Sequence, residues 1–205
     1  MPYPNSDQLA VIQHRGRPLI VVAGPGTGKT RTLVERMIKL LTEDQSREVT
    51  FITFTRLSRR DTEKKLKGAF GESVLDQPDI MFSRTSTLHT YAKQIIHRYA
   101  NIISRNPAFS ILIESKGEKN LLLDEIIVDL SLDIDLATLS YAITCKRATM
   151  EWPPTFHLNA SDRRAILERF ELLLALYRTF DMEGVILAAS QILESGEAEL
   201  PRLFL

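Results

Sequence analysis

The sequence predicts an α/β fold in which a parallel sheet carries an inserted, mainly helical subdomain. Over residues 1–100, short apolar runs alternate with helix-patterned segments, as expected for a parallel sheet covered by helices. Residues 115–196 instead have a helical pattern almost throughout. After Pro201 a further apolar run begins at residues 203–205, and it predicts that the chain returns to the sheet.

Three strands are predicted in the first hundred residues, each followed by a helix. The strands cover residues 18–23, 49–54 and 84–89, where β-branched and apolar residues cluster. The first run, PLIVVA, has the continuous apolar pattern of a parallel strand buried on both faces. Helices are predicted over 29–42, over 57–70 with an end near Gly68 or Gly71, and from the third strand through Tyr99.

The later region contains helix-patterned segments at 118–130, 135–146, 161–180 and 182–195. Residues 159–162, Asn-Ala-Ser-Asp, supply capping residues before the third of these helices. The sequence has no repeat and no low-complexity segment. We therefore interpret residues 101–196 as a single helical insertion.

Composition limits the classes of protein that fit. With 44% hydrophobic residues in 205, the chain can bury a core, and no apolar run is long enough to span a membrane. The single cysteine, Cys145, excludes an internal disulfide framework and is expected to pack as a small core residue. The N-terminus lacks a signal-peptide layout, so we expect a cytoplasmic protein. The net charge is zero, but residues 1–110 carry a balance of +7 and residues 111–205 a balance of −7, compatible with a basic working face on the first half.

A glycine-rich segment, VVAGPGTGKTRTL at 21–33, lies between a predicted strand and a predicted helix. It matches the phosphate-binding loop pattern G-x-x-x-x-G-K-[ST], except that Ala23 stands at the first glycine. Glycines let the backbone N–H groups approach phosphate oxygens, and the helix start adds its positive end. Lys29 and Thr30 are the candidate catalytic residues, since Lys29 would bind the β- and γ-phosphates and Thr30 would bind Mg²⁺. The predicted binding residues of this loop are Gly24, Pro25, Gly26, Thr27, Gly28, Lys29, Thr30 and Arg31.

Four segments together resemble the UvrD/Rep-type superfamily 1 DNA helicases. NSDQLAVI at 5–12 resembles the Q motif, and VVAGPGTGKTRTL resembles motif I, including Ala23 and Arg31. ITFTRLSRRDTEKKL at 52–66 resembles motif Ia, and TSTLHTYAKQII at 85–96 resembles motif Ib. The likeness is good over residues 5–100, whereas the helical region matches only by its placement.

The resemblance implies an ATP-binding, RecA-like domain, formed by residues 1–100 and 197–205 and interrupted by the insertion at 101–196. It implies that ATP binds with Mg²⁺ and that Gln8 reads the adenine. It also implies that the parent protein moves 3′-to-5′ on single-stranded DNA and unwinds duplex junctions. The DNA-contacting residues carried over are Phe54, Thr55, Arg56, Thr87 and His89.

Two departures from the family pattern stand out. Arg56 occupies a position where family members often have Asn, and the acidic motif II is missing. The segment 120–130 resembles an acidic motif II strand, because Asp124 and Glu125 follow three leucines. The spacing of its apolar residues, however, favours a helix over a strand. We therefore expect the chain to be an N-terminal fragment that stops just before the catalytic acids and is inactive alone.

Other interpretations remain open. One alternative is a nucleotide-binding switch, and another is part of a helicase-nuclease subunit. A metabolic P-loop kinase fits less well, because it would not explain Gln8. Three of the candidate site residues also have a structural interpretation. Gln8 fits an ordinary surface residue, Phe54 fits a core residue, and His89 fits a packing or capping residue. Tyr91 is expected in the core. The basic residues of the second predicted helix are expected to form a solvated face: Arg59, Arg60, Lys64 and Lys65.

Overall fold

The computed structural model describes residues 4–16, 18–44, 49–75, 84–112 and 117–198. This part of the chain forms two compact units, one up to Tyr91 and one over Ala92–Ala198, with one helix continuing across the division. The elements of the first unit are α1 (Ser6–Gln13), α2 (Lys29–Glu43), β1 (Phe51–Thr53), α3 (Arg56–Phe70), a 3₁₀ turn (Glu72–Leu75), β2 (Thr85–Thr87) and the start of α4 (Leu88–Tyr99).

The second unit contains the remaining elements. After α4 they are a 3₁₀ turn (Ala100–Ile103), β3 (Ser110–Ile111), α5 (Glu118–Asp129), α6 (Leu136–Thr149), α7 (Ala160–Leu176), β4 (Thr179–Phe180) and α8 (Met182–Glu194). The mixture of helices with small parallel sheets confirms the α/β class. In the described residues, no helix is both long enough and apolar enough to cross a bilayer.

In the first unit, β1 and β2 pair in parallel, with Phe51 opposite Thr85 and Thr53 opposite Thr87. The helices α2 and α3 and the following 3₁₀ turn supply a buried cluster beside this sheet, formed by Met37, Leu41, Leu66 and Val74. Because the strands are parallel, their carboxyl ends lie at the same edge. The strands predicted at 49–54 and 84–89 are thus confirmed in shortened form.

The predicted strand at 18–23 is wrong for the described structure. Residues 18–24 have no regular secondary structure, and Ile20 and Val22 are 88% and 92% exposed. Apolar, β-branched composition shows that a segment suits a sheet, but a strand forms only where another strand pairs with it. Among the described residues, β1 and β2 pair with each other and not with this segment. The strand predicted after Pro201 lies outside the described residues.

In the second unit, α5, α6 and α7 bury one continuous apolar core. Its members include Leu123, Ile126, Leu139, Ile143 and Phe170, all fully buried. The four helices predicted here are confirmed, except that the third ends at Leu176 and the last two residues of its predicted range, Thr179 and Phe180, form β4. Asn159 caps α7 by accepting a hydrogen bond from the Asp162 N–H. The short parallel pair of β3 and β4 was not predicted.

Candidate functional site

The glycine-rich loop leads directly into α2, as the sequence predicts. Gly28 is the residue before the helix and has a φ of 84°, in the left-handed region that favours glycine. A Cβ on Gly28 would also lie 3.4 Å from Gln8 Nε2. The Thr27 hydroxyl donates to the Gly24 carbonyl at 2.8 Å, which closes the loop on itself. The first turn of α2 therefore presents its N–H groups, and the positive end of the helix dipole, next to this loop.

The Lys29 side chain folds over the loop. Its ammonium group donates to the carbonyl oxygens of Ala23 at 2.7 Å and Gly24 at 2.6 Å. The charge thus lies at the mouth of the loop rather than pointing away from it. Thr30 and Arg31 follow in the exposed first turn of α2.

Gln8 lies on the same loop, although it is far away in the sequence. Its Nε2 donates to the Thr27 carbonyl at 3.0 Å. Its Oε1 accepts from the Asn5 N–H at 2.9 Å, while Asn5 Oδ1 accepts from the Gln8 N–H at 2.9 Å. This reciprocal pair is a capping box that starts α1. Gln8 therefore contacts the loop through one hydrogen bond, while its other two bonds start α1.

Sequence reasoning missed α1 and with it the role of Asn5. The signal was present, because Asn at 5 and Gln at 8 have the three-residue spacing of a capping box. The helix has a weak apolar pattern, with only Ile12 buried among its described residues, and periodicity alone does not reveal it.

A cavity of about 300 Å³ opens between α1, the loop and α2. Its apolar wall is formed by Val11, Val21, Val22 and Leu33, and its polar lining includes Gln8, Lys29 and the carboxylate of Asp7. The cavity thus joins a surface that suits a flat ring to a cationic group beside a helix N-terminus. These groups suit a ligand that carries both an apolar ring and an anion.

The metal prediction rests on a single donor in the described residues. Thr30 is exposed beside the loop and can offer its hydroxyl. In the described ranges, no group of three or more His, Cys, Asp or Glu side chains is placed to hold a metal ion. A hydroxyl is one of the oxygen ligands that Mg²⁺ accepts beside phosphate and water.

The predicted DNA-contacting residues gather at the carboxyl edge of the small sheet. Phe54, Thr55 and Arg56 follow β1, while Thr87 ends β2 and His89 lies in the first turn of α4. The register of Thr53 opposite Thr87 places the two strand ends side by side. The structure thus brings together residues that are more than thirty positions apart in the sequence.

The side chains at this edge differ in their surroundings. Phe54 is 93% exposed, so it is not a core residue, whereas Tyr91 is 5% exposed and confirms the core prediction. Thr55 caps α3, because its hydroxyl oxygen accepts from the Ser58 N–H at 3.1 Å. The Thr87 hydroxyl oxygen likewise accepts from the Thr90 N–H at 3.3 Å, at the start of α4. Both threonines therefore hold helix starts at the strand ends.

The acidic look-alike does not form a catalytic strand end. Asp124 and Glu125 lie within α5, as the spacing predicts. Asp124 is exposed, and Glu125 pairs with Arg169 of α7 at 3.0 Å. These carboxylates therefore belong to the surface of the helical unit and its helix packing.

Comparison with known proteins places the chain in a family. A family model described as the UvrD/REP helicase N-terminal domain matches residues 4–202. A subunit of an ATP-dependent helicase/nuclease from Bacillus licheniformis is 34% identical over 139 residues, covering 60% of this chain and 11% of that relative. Its counterpart from Lactobacillus gasseri is 29% identical over 119 residues, covering 53% and 10%. The chain spans about a tenth of the length of these curated relatives. Since the family model covers nearly all of the sequence, the chain belongs to the UvrD/REP helicase N-terminal domain family.

Proposed function

We propose that this chain is the ATP-binding part of an ATP-dependent DNA helicase. In this proposal, residues 1–100 and 197–205 form the RecA-like domain, and residues 101–196 form its helical insertion. The observation that carries the proposal is the meeting of Gln8 and Lys29 at one glycine-rich loop. Family membership and the names of the relatives support it.

The phosphates of ATP would bind where Lys29 now contacts the loop carbonyls. The ammonium would exchange its bonds to Ala23 and Gly24 for bonds to phosphate oxygens, which are stronger because both partners are charged. The N–H groups at the start of α2 would donate to the same phosphates. A magnesium ion, bound by the phosphates and by the Thr30 hydroxyl, would neutralise part of the phosphate charge.

The adenine would lie against the apolar wall of the cavity, with Gln8 at its edge. A carboxamide both donates and accepts, so it matches the amino group and N7 of adenine, whereas guanine presents two acceptors, O6 and N7, at the same edge. Gln8 would have to exchange its present bonds with Asn5 and Thr27 for bonds to the base. Base recognition and loop geometry are therefore linked through one side chain.

Single-stranded DNA would bind at the carboxyl edge of the sheet. The exposed ring of Phe54 offers a face on which a base can stack, and Arg56 offers a charge for a phosphate. Thr55, Thr87 and His89 would add polar contacts, with the two threonines also fixing the positively polarised starts of α3 and α4.

Binding of nucleotides to the 205-residue chain tests the proposed ATP site. We expect wild type to prefer ATP over GTP, Lys29→Ala to lose at least about tenfold in affinity for both, and Gln8→Ala to lose mainly the preference. Lys64→Ala is the matched control, because Lys64 is an exposed lysine on α3. Equal affinity of the wild type for ATP and GTP would contradict the role of Gln8. Unchanged affinity in Lys29→Ala would contradict the ATP site.

A helicase-nuclease subunit is the second candidate, because several relatives carry that name. This candidate has the same ATP site and the same DNA-binding edge of the sheet as the first. It differs in having a nuclease domain in another part of the protein. Reading the genomic frame past Leu205 separates the two. A nuclease domain in the same frame would favour the second candidate, and a continuation that contains only helicase motifs would exclude it.

A further inference from the structure

Arg36 is a buried arginine on α2 whose hydrogen-bond partners lie at the end of α1. The residue is 6% exposed, and its Nη1 donates to the carbonyls of Val11 at 2.7 Å and His14 at 2.5 Å. His14 is the C-cap residue of α1, and Val11 lies in its last turn. Carbonyls at this end of a helix have no following turn to bond to, and here Val11 also accepts from the His14 N–H at 3.4 Å and His14 from Arg15 Nη1 at 2.9 Å. Arg36 therefore caps α1 from the neighbouring helix.

The surroundings of Arg36 indicate that it holds the end of α1 in place. Both of these partners are backbone carbonyls, and burial lowers the pKa of Arg36, with nearby Arg15 adding to this effect. The negative end of the α1 dipole compensates part of the cost of burying the charge. A buried charge with fixed partners contributes little net stability. Removing Arg36 takes one donor from each of the Val11 and His14 carbonyls, which keep their bonds from the His14 N–H and from Arg15.

The helix α1 depends on its neighbours for both stability and orientation. It has eight residues, too few for stability in isolation, and Leu9 is 41% exposed while Ile12 is buried. A second link to α2, the Arg15–Glu43 salt bridge, is exposed on both sides, and exposed bridges contribute little. The orientation of α1 is therefore fixed by the buried Ile12, by Arg36 at one end and by Gln8 at the other.

We propose that Arg36 is a positioning residue for recognition of the nucleotide base. By holding the carbonyls of Val11 and His14, it keeps α1 in the orientation that places Gln8 against the Thr27 carbonyl. Arg36 is not among the described residues that line the cavity, so it acts on the base only through α1. The inference rests on the proposed ATP site, because it concerns how that site selects its base.

Three variants of the 205-residue chain separate positioning from general stability. Arg36→Met removes the donors but keeps an unbranched side chain, and Arg36→Lys keeps the charge with a single ammonium group. Met37→Ala is the control, since Met37 is buried next to Arg36 in the chain but belongs to the cluster with Leu41 and Leu66. For each variant we would measure amide hydrogen exchange without nucleotide, and affinity for ATP, GTP and inorganic tripolyphosphate.

In Arg36→Met we expect the α1 amides to lose protection while the α2 amides keep theirs. The ATP-over-GTP preference should fall by about tenfold, the scale of one lost hydrogen bond, with tripolyphosphate affinity kept. Arg36→Lys should fall between Arg36→Met and wild type, and Met37→Ala should keep the preference. Unchanged α1 protection in Arg36→Met would overturn the inference, as would an equal loss for all three ligands. A wild type without nucleotide binding would contradict the proposed ATP site instead, and exchange in α1 would then decide only whether Arg36 holds that helix in place.

Discussion

Phe54 is the residue whose exposure most needs an explanation. A phenylalanine that is 93% exposed gains no stability from burial, and it stands directly after β1 at the sheet edge. Single exposed apolar residues are common on protein surfaces. Here the neighbours are Thr55 and Arg56, which suit phosphate contacts, so stacking on a base is a physical use for the ring.

Substitution of Phe54 tests whether the ring itself contacts DNA. We expect Phe54→Leu to weaken single-stranded DNA binding by about tenfold, within the range of about 1–3 kcal/mol typical of one stacked base. Phe54→Trp keeps an aromatic face and should retain or improve the affinity. Fluorescence anisotropy with a labelled oligothymidine at low salt measures both. Equal affinities for the leucine and tryptophan variants would rule out stacking.

The salt dependence of the same binding distinguishes stacking from charge. Each phosphate neutralised on a single strand contributes about 0.7 to the slope of log affinity against log salt. Phe54→Leu should lower affinity without changing this slope, because the ring carries no charge. Arg56→Gln should reduce the slope by about 0.7 if Arg56 contacts a phosphate. If Phe54→Leu changed the salt slope, the substitution would have rearranged the carboxyl edge of the sheet instead of removing one stacking contact.

Among the elements, helices with strong local signals were predictable and small strands were not. The helix α7 has an Asn cap and apolar residues at helical spacing, and α5 has the same spacing despite its acidic look-alike. The segment 18–23 shows the opposite case, because its strand depends on a neighbour that local composition does not specify. Two-residue strands such as β3 and β4 depend even more on tertiary contacts.

Two helix glycines should respond to alanine in opposite directions. Gly184 lies in the first turn of α8, where its N–H donates to Asp181 at 3.0 Å, and Asp181 also pairs with Arg147 at 2.7 Å. A Cβ at Gly184 would overlap the Asp181 carboxylate and the Arg147 guanidinium. A Cβ at Gly68 in α3 would instead meet open space, because no neighbouring atom of the described residues lies within 4 Å of its position.

We expect Gly184→Ala to lower the free energy of unfolding by about 1–3 kcal/mol, as overpacking typically does. Gly68→Ala should raise it by about 0.5–1 kcal/mol, because alanine loses less backbone entropy in a helix. Urea unfolding followed by circular dichroism measures both variants. A stabilising effect of Gly184→Ala would mean that the capped charge pair relaxes easily and does not constrain the start of α8.

At the scale of the whole molecule, the loop was predictable and its partners were not. The glycines, Lys29 and the start of α2 follow from one local pattern. The bond from Gln8 to Thr27 and the bond from Arg36 to Val11 join residues that are 19 and 25 positions apart. No spacing rule specifies such contacts, so the resemblance suggested Gln8 and nothing in the sequence suggested Arg36.

The two compact units differ in how much apolar surface they bury. Among the described residues, eight buried hydrophobic residues lie in the unit up to Tyr91, and twenty-one lie in Ala92–Ala198. Because burial of apolar area is the main stabilising term in folding, the first unit should unfold at a lower denaturant concentration.

Trp152 makes this difference measurable, because it is the only tryptophan and stacks on Phe156 within the second unit. Tryptophan fluorescence therefore reports on the second unit, whereas far-ultraviolet circular dichroism reports on the helices of both. We expect the dichroism transition to begin at lower urea than the fluorescence transition. Saturating ATP should move only the early part of the dichroism transition, since a ligand stabilises the unit that binds it, and Lys29→Ala should remove that shift. Coincident transitions would instead show that the two units unfold together in one cooperative step. The smaller core of the first unit would then be stabilised by the larger core of the second.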